Sequence, residues 1–134
     1  MATLTPTLTL ESTDLTSDTL NLTATTSFSC THATGISRKK ITSTAVGTGS
    51  GQVTIDTADE FASPSVVYIK NTHEYHASNN VIYCYYDGDG TDTHTIQLHG
   101  GQFAYIPSSS DLSLKAYTST SGTVVEFAVF GTLS

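Results

Sequence analysis

The feature that most constrains this chain is a strict two-residue alternation over residues 20–30. Leu20, Leu22, Ala24, Thr26, Phe28 and Cys30 fall on one face of an extended backbone, while Asn21, Thr23, Thr25, Ser27 and Ser29 fall on the other. A helix would wrap these residues around its axis, so the pattern predicts a half-buried strand, or two strands meeting at a bend. Leu112, Leu114 and Ala116 alternate in the same way with Ser113, Lys115 and Tyr117, and Ile96 and Leu98 with Thr95, Gln97 and His99. Alternation of this kind belongs to antiparallel sheets with one wet face.

Three further runs are apolar on both faces: Val66 to Ile69, Val81 to Tyr86, and Val124 to Phe130. Such strands need cover on both sides. In a small domain a neighbouring subunit often supplies the second cover, so an oligomer is expected, although a sandwich with a long covering loop also fits. Turn-forming residues separate the runs at Gly47–Gly51, Ser63-Pro64, Asn79-Asn80, Asp87–Gly90, Gly100-Gly101 and Pro107–Ser110. Turn signals roughly every ten residues indicate an all-β sandwich or barrel. One helical turn is predicted at Thr57–Glu60, which has the Thr-x-x-Glu form of a capping box.

At 134 residues the chain is the size of one domain. Residues 1–16, where Pro6 interrupts the alternation of Leu4, Leu8 and Leu10, are expected to form an N-terminal arm or edge strand; residues 17–134 are expected to form a single β-sandwich domain. Charged residues make up 13% of the chain, about half the usual share. Hydroxyls replace them, with 25 Thr and 17 Ser. Seven Tyr, five Phe and regular aliphatic spacing set the chain apart from disordered polar sequences.

Five Lys and Arg stand against twelve Asp and Glu, a formal charge of -7. Nucleic-acid binding needs clustered cations to neutralise phosphates, and the one cluster is Arg38-Lys39-Lys40, so no nucleic-acid partner is expected. No apolar run approaches the ~18 residues of a membrane helix, and no membrane partner is expected. Residues 1–6 lack the basic and apolar regions of a secretory signal, so synthesis in the cytoplasm without export is expected. Cys30 and Cys84 would bridge only with their Cα atoms within ~7 Å; free buried thiols are the blander alternative.

Several constellations could carry chemistry. Asp87, Asp89 and Asp92 offer hard oxygen ligands to Ca²⁺, but the glycine and final Glu of an EF-hand loop are missing, and an acidic hairpin tip is the simpler reading. His73 and His76 stand three apart beside Glu74 in a segment with loop composition. They would bind zinc only if the fold gathered them with His94 or His99; solvated loop histidines are the alternative. Gly47–Gly51 lacks the Lys of a phosphate loop and precedes a strand pattern, and no Ser occupies a nucleophile elbow. No catalytic, cofactor or metal site is therefore assigned. Tyr83, Tyr85 and Tyr86, with Tyr68, Tyr75, Tyr105 and Tyr117, could face a sugar or a partner protein, or could simply reflect strand composition.

The order of the pieces resembles a group of small virion structural proteins of tailed bacteriophages, marine and cyanobacterial phages especially. The residues that carry the resemblance are Leu15 to Leu22, Gly35–Arg38, Val67–Thr72, Ile96-Gln97-Leu98 followed by Gly101–Pro107, the Leu112–Ala116 strand and the closing Val125–Phe130. It implies a jelly-roll-like antiparallel β-sandwich of about eight strands. It also implies a capsid decoration or cement protein on the virion, often a homotrimer, with the major capsid protein as partner and no enzymatic activity. A tail or fibre module that binds a host receptor or glycan is the alternative place on the particle. The arm is the expected capsid-contacting or subunit-exchanging element.

Overall fold

The structure is a computed structural model and describes residues 2–15, 18–47, 50–87, 94–108 and 111–133. Among these there are thirteen strands and no helix: β1 (Ala2–Leu4), β2 (Thr7–Ser12), β3 (Leu20–Thr25), β4 (Phe28–Cys30), β5 (His32–Ala33), β6 (Ser37–Ile41), β7 (Val53–Asp56), β8 (Phe61–Asn71), β9 (Ile82–Asp87), β10 (Ile96–Leu98), β11 (Phe103–Ser108), β12 (Ser113–Thr118) and β13 (Thr123–Leu133). The strand pairings among these residues are antiparallel. The expected all-β class is present, but the count of about eight strands is corrected to thirteen. Residues 2–30 contribute four short pieces instead of an arm, and β5 and β6 share one edge of β13.

Contacts divide the chain into two compact units, Met1–Thr31 and His32–Ser134. The division falls after residue 31 and not after residue 16, because Thr7–Ser12 pairs along its full length with Leu20–Thr25. The first unit is one ribbon. Ala2 stands opposite Cys30 and Leu4 opposite Phe28, and the same register continues from Thr7 opposite Thr25 to Ser12 opposite Leu20. Pro6, which lacks an N–H, interrupts the ladder without shifting it: the Thr26 amide still donates to the Pro6 carbonyl at 3.4 Å.

The second unit holds a four-stranded sheet ordered β10-β9-β12-β7 and a larger sheet ordered β11-β8-β13, with β5 and β6 on the far side of β13. Both sheets supply one core. Val53, Ile55, Ile82, Cys84, Leu98, Leu114 and Ala116 come from the first sheet, and Ile41, Phe61, Val67, Ile69, Val125, Phe127 and Val129 from the second. Two antiparallel sheets sharing an apolar interior are consistent with a sandwich. Each fully buried Leu or Ile contributes roughly 1.5–3 kcal/mol relative to exposure. Gly131 allows β13 to pass the ring of Phe61, since a β-carbon there would sit 2.7 Å from that ring's Cδ1. The β13–β8 register shifts at the same place, between Phe130 and Thr132.

The predicted helical turn at Thr57–Glu60 is a reverse turn between β7 and β8. The Glu60 amide donates to the Thr57 carbonyl at 3.2 Å, and Asp59 has a φ of 62°. A positive φ at the third position belongs to a type II turn and cannot continue a helix. The capping-box pattern fails because only four residues, 57–60, join β7 to β8, too few to form a helix.

The interior also contains ordered polar groups. Asn71, fully buried, donates through Nδ2 to the carbonyls of Asn80 (2.6 Å) and Leu98 (2.9 Å), and its Oδ1 accepts from the His73 amide at 3.2 Å. The buried Thr118 hydroxyl donates to the Val81 carbonyl at 2.9 Å and lies 2.7 Å from the Thr123 hydroxyl. These groups tie the 72–81 connection to the ends of four strands, β8, β10, β12 and β13.

Candidate functional surfaces

The ribbon of the first unit is amphipathic from end to end. Its constant register places Leu4, Leu8, Leu10, Leu20, Leu22, Ala24 and Phe28 on one face, with Thr3, Thr7, Thr9, Thr23, Thr25 and Ser29 on the other. A half-buried strand was expected here, yet Leu8, Leu10 and Leu22 are 44%, 46% and 46% exposed. The alternation was real, but a two-stranded ribbon has no second layer of its own to cover its apolar face.

The histidines are spread over separate hydrogen-bond sites. His73 Nε2 accepts from the Val124 amide at 3.0 Å. His76 Nδ1 accepts from the amides of Ser78 (3.1 Å) and Asn79 (2.9 Å), closing its own loop. His99 Nδ1 lies 3.1 Å from the His76 carbonyl, so that nitrogen carries the proton and Nε2 is left to accept from Gln97 Nε2 at 3.0 Å. Gly100 lets this turn press against the backbone of His73 and Glu74, where a β-carbon would collide with the Glu74 carbonyl. His94 sits apart, on the ring of Tyr83. Among the described residues, no group of three or more His, Cys, Asp or Glu is placed to hold a metal ion.

Asp87 bonds to Lys115 Nζ at 2.6 Å, which raises the lysine above its ordinary range. Asp89 and Asp92, with the rest of residues 88–93, lie outside the described residues, as do Thr48 and Gly49 of the glycine-rich turn. β9 and β10 pair with Ile96 opposite Cys84, so this segment joins two antiparallel neighbours. Cys30 and Cys84 are both free and buried, and burial pushes the Cys84 thiol up to about 12. Cys84 is therefore a core residue with little thiolate character at neutral pH.

The tyrosines separate into two groups. Tyr83 on β9 stacks against Tyr117 on β12 with ring centroids 5.0 Å apart, and His94 completes a triangle at 4.6 Å from Tyr83. His94 Nδ1 lies 3.0 Å from the Tyr117 hydroxyl. Tyr85 is buried and donates to Gln52 Oε1 at 2.6 Å, and Tyr86 packs against the core with its hydroxyl 3.3 Å from Ser108 Oγ. Alternation places Tyr83 and Tyr85 on one face of β9 and Tyr86 on the other, with Ile82 and Cys84 against the core.

Two charged sites were not singled out in the sequence. Glu126, nearly buried at mid-strand on β13, accepts from Arg38 Nε at 2.7 Å and from the Tyr68 hydroxyl at 3.1 Å. Arg38 holds the Glu126 carboxyl below its ordinary range. The lone glutamate inside an apolar run was the available signal. The Arg38-Lys39-Lys40 cluster accordingly lies on an edge strand, with Arg38 paired and Lys39 Nζ 5.7 Å from the Phe127 ring centre. Asp56 is 3% exposed; its Oδ2 accepts from Ser65 Oγ at 3.3 Å, and among the described residues its Oδ1 has no hydrogen-bond partner. Burial pushes this carboxyl above its ordinary range. Nothing in the residues around Asp56 distinguished it from a strand-end aspartate.

Compared with protein families, with curated proteins and with solved structures, the chain matches none.

Proposed function

We propose that the chain is a non-enzymatic structural protein of a tailed-phage virion, a decoration or cement protein that binds the outer surface of the major capsid lattice as a homotrimer and stabilises the head. The observation that carries this reading is the strand order of the second unit. With β5 and β6 counted together as a first strand, the orders β10-β9-β12-β7 in one sheet and β11-β8-β13 followed by β5 and β6 in the other are compatible with a jelly roll. Capsid proteins are among the recurring users of that architecture.

The surface chemistry supports the same reading. The wet strand faces carry hydroxyls such as Thr7, Thr9, Thr23 and Thr25, which dock without desolvating ions. β8 and β13 bear apolar or aromatic residues on both faces, including the outward Tyr68 and Phe130, as a protein that packs against other subunits requires. A patch of ~800 Å² per partner suffices for specific attachment, and repetition over a lattice multiplies the effect.

A density map of the intact virion tests the proposal. Density of this fold on the head lattice is the expected result. Density confined to the tail or fibres would instead assign a host-binding module and overturn the capsid reading. Purified protein added to heads lacking it should bind them in saturable fashion; absence of binding counts against the proposal.

A further inference from the structure

We propose that three copies of the chain join through their N-terminal ribbons, apolar faces turned to a common threefold axis and hydroxyl faces turned to water. The inference rests on the homotrimer of the preceding reading and specifies which part of the chain makes it.

The ribbon cannot cover itself. Its register gathers the leucines on one face, where Leu8, Leu10 and Leu22 are each close to half exposed. The unit has 31 residues and no disulfide. A two-stranded ribbon of this kind is marginal in water, and units below ~40 residues usually need a cross-link, a metal or association to persist.

Its edges are open as well. Among the described residues β3 pairs only with β2. In the second unit three edge strands carry devices that discourage added strands: Arg38, Lys39 and Lys40 on β6, Pro107 on β11, and a length of three residues for β10. β3, Leu-Asn-Leu-Thr-Ala-Thr, has neither charge nor proline. An open, neutral, β-prone edge is the form that adds to another strand.

Charge and the open edges select the occupant. Residues 1–31 hold Glu11, Asp14 and Asp18 and no Lys, Arg or His. Glu11 pairs with Asn21 on the hydroxyl face, so like copies can meet across the leucines without burying a charge. Eleven residues at ~3.4 Å make a ribbon ~35 Å long and ~10 Å wide, a face of ~350 Å². Two ribbons pressed face to face cover these faces but leave their β2 and β3 edges open. Around a threefold axis each ribbon meets two neighbours, with the β3 edge of one along the β2 edge of the next. This closed ring covers every leucine face and leaves no open edge.

Light scattering on the eluting full chain tests this with two matched variants, each placing one Lys–Glu pair across the ribbon. Leu10 and Leu22 are directly opposite on the apolar face, and Thr9 and Thr23 directly opposite on the hydroxyl face. The wild-type protein should elute with the mass of three 14.2 kDa chains. L10K/L22E should fall threefold to one chain, while T9K/T23E should remain at three. The melting transition of the second unit should be the same in all three proteins, which excludes general misfolding. A wild-type mass of one or two chains overturns the proposal. So does an unchanged mass for L10K/L22E, or loss of the trimer in both variants. Head binding is read separately: a monomer that binds heads sinks only the ribbon trimer, and a trimer that ignores heads sinks only the capsid reading.

Discussion

Residues 2–30 and residues 32–133 use the same alternation of apolar and hydroxyl side chains and reach opposite ends. In the ribbon the apolar positions Leu8, Leu10 and Leu22 remain close to half exposed. In the second unit Leu114 and Ala116, placed by the same period on β12, are fully buried because a second sheet faces them. Strand periodicity states which residues share a face; it does not state whether that face is covered. The comparison teaches that burial is a property of layers, and a two-stranded ribbon has only one.

The largest expected difference is in core truncation. Phe61→Ala removes a ring that is 1% exposed beside Gly131 and should lower the stability of the second unit by ~3–5 kcal/mol in a urea titration. Leu22→Ala in the ribbon should leave that same transition within ~0.5 kcal/mol of wild type. Equal losses would erase the distinction between the two regions.

Next comes the polar interior of the second unit, which the ribbon has no counterpart for. Asn71→Ala strands the carbonyls of Asn80 and Leu98 and should cost ~2–3 kcal/mol, with faster amide exchange through residues 72–80. Thr118→Val keeps the shape and removes the bonds to Val81 and Thr123; a loss of ~1–2 kcal/mol is expected. The paired hydroxyls of Thr7 and Thr25 on the ribbon, 3.2 Å apart and exposed, give the contrast: Thr7→Val should change little.

Two carboxyls of the second unit should give pH slopes of opposite sign. Burial raises the folded-state pKa of Asp56, so folding binds its proton more tightly than the unfolded chain does. The stability this proton contributes is complete below the unfolded value of ~3.9 and is lost as pH rises through the folded value. Asp56→Asn should therefore gain on wild type as pH rises above ~4, measured as urea midpoints; a difference constant with pH would refute the buried-carboxyl reading. Arg38 lowers the folded-state pKa of Glu126, so the contribution of Glu126 is present above ~4.3 and lost as pH falls through the folded value. Arg38→Ala should flatten that acid-side loss. Its effect is the smallest expected here, because the arginine side chain is 69% exposed.

The legible part of the fold lay where side chains alternate or run apolar. β9, β12 and β13 begin and end near the residues that the pattern indicated, and the alternation over residues 20–30 is divided between two strands, β3 and β4. The helical turn at Thr57–Glu60 was misread because a capping box is a local signal, and a tight connection to Phe61 required positive φ at Asp59 instead. Of the candidate sites, the histidine segment was recognisable as a loop, and the His76 ring bonds within that loop, but the His73 ring accepts from the Val124 amide of β13. That partner is distant in sequence and leaves no local trace. Asp56 and Glu126 had only the weak signal of a carboxylate beside apolar residues.

By itself the sequence determined that the chain is all-β, which face of each strand is apolar, and that its outer faces are clothed in hydroxyls and not in ions. Those properties follow from the two-residue period of an extended backbone, and no long-range contact is needed to read them. Only the tertiary structure decided which apolar faces meet, that Thr7–Ser12 belongs to a ribbon with Leu20–Thr25, and that Asp56 is buried. The reason is physical: pairing between strands far apart in the chain is set by how whole layers fill space together, and no single segment encodes its partner.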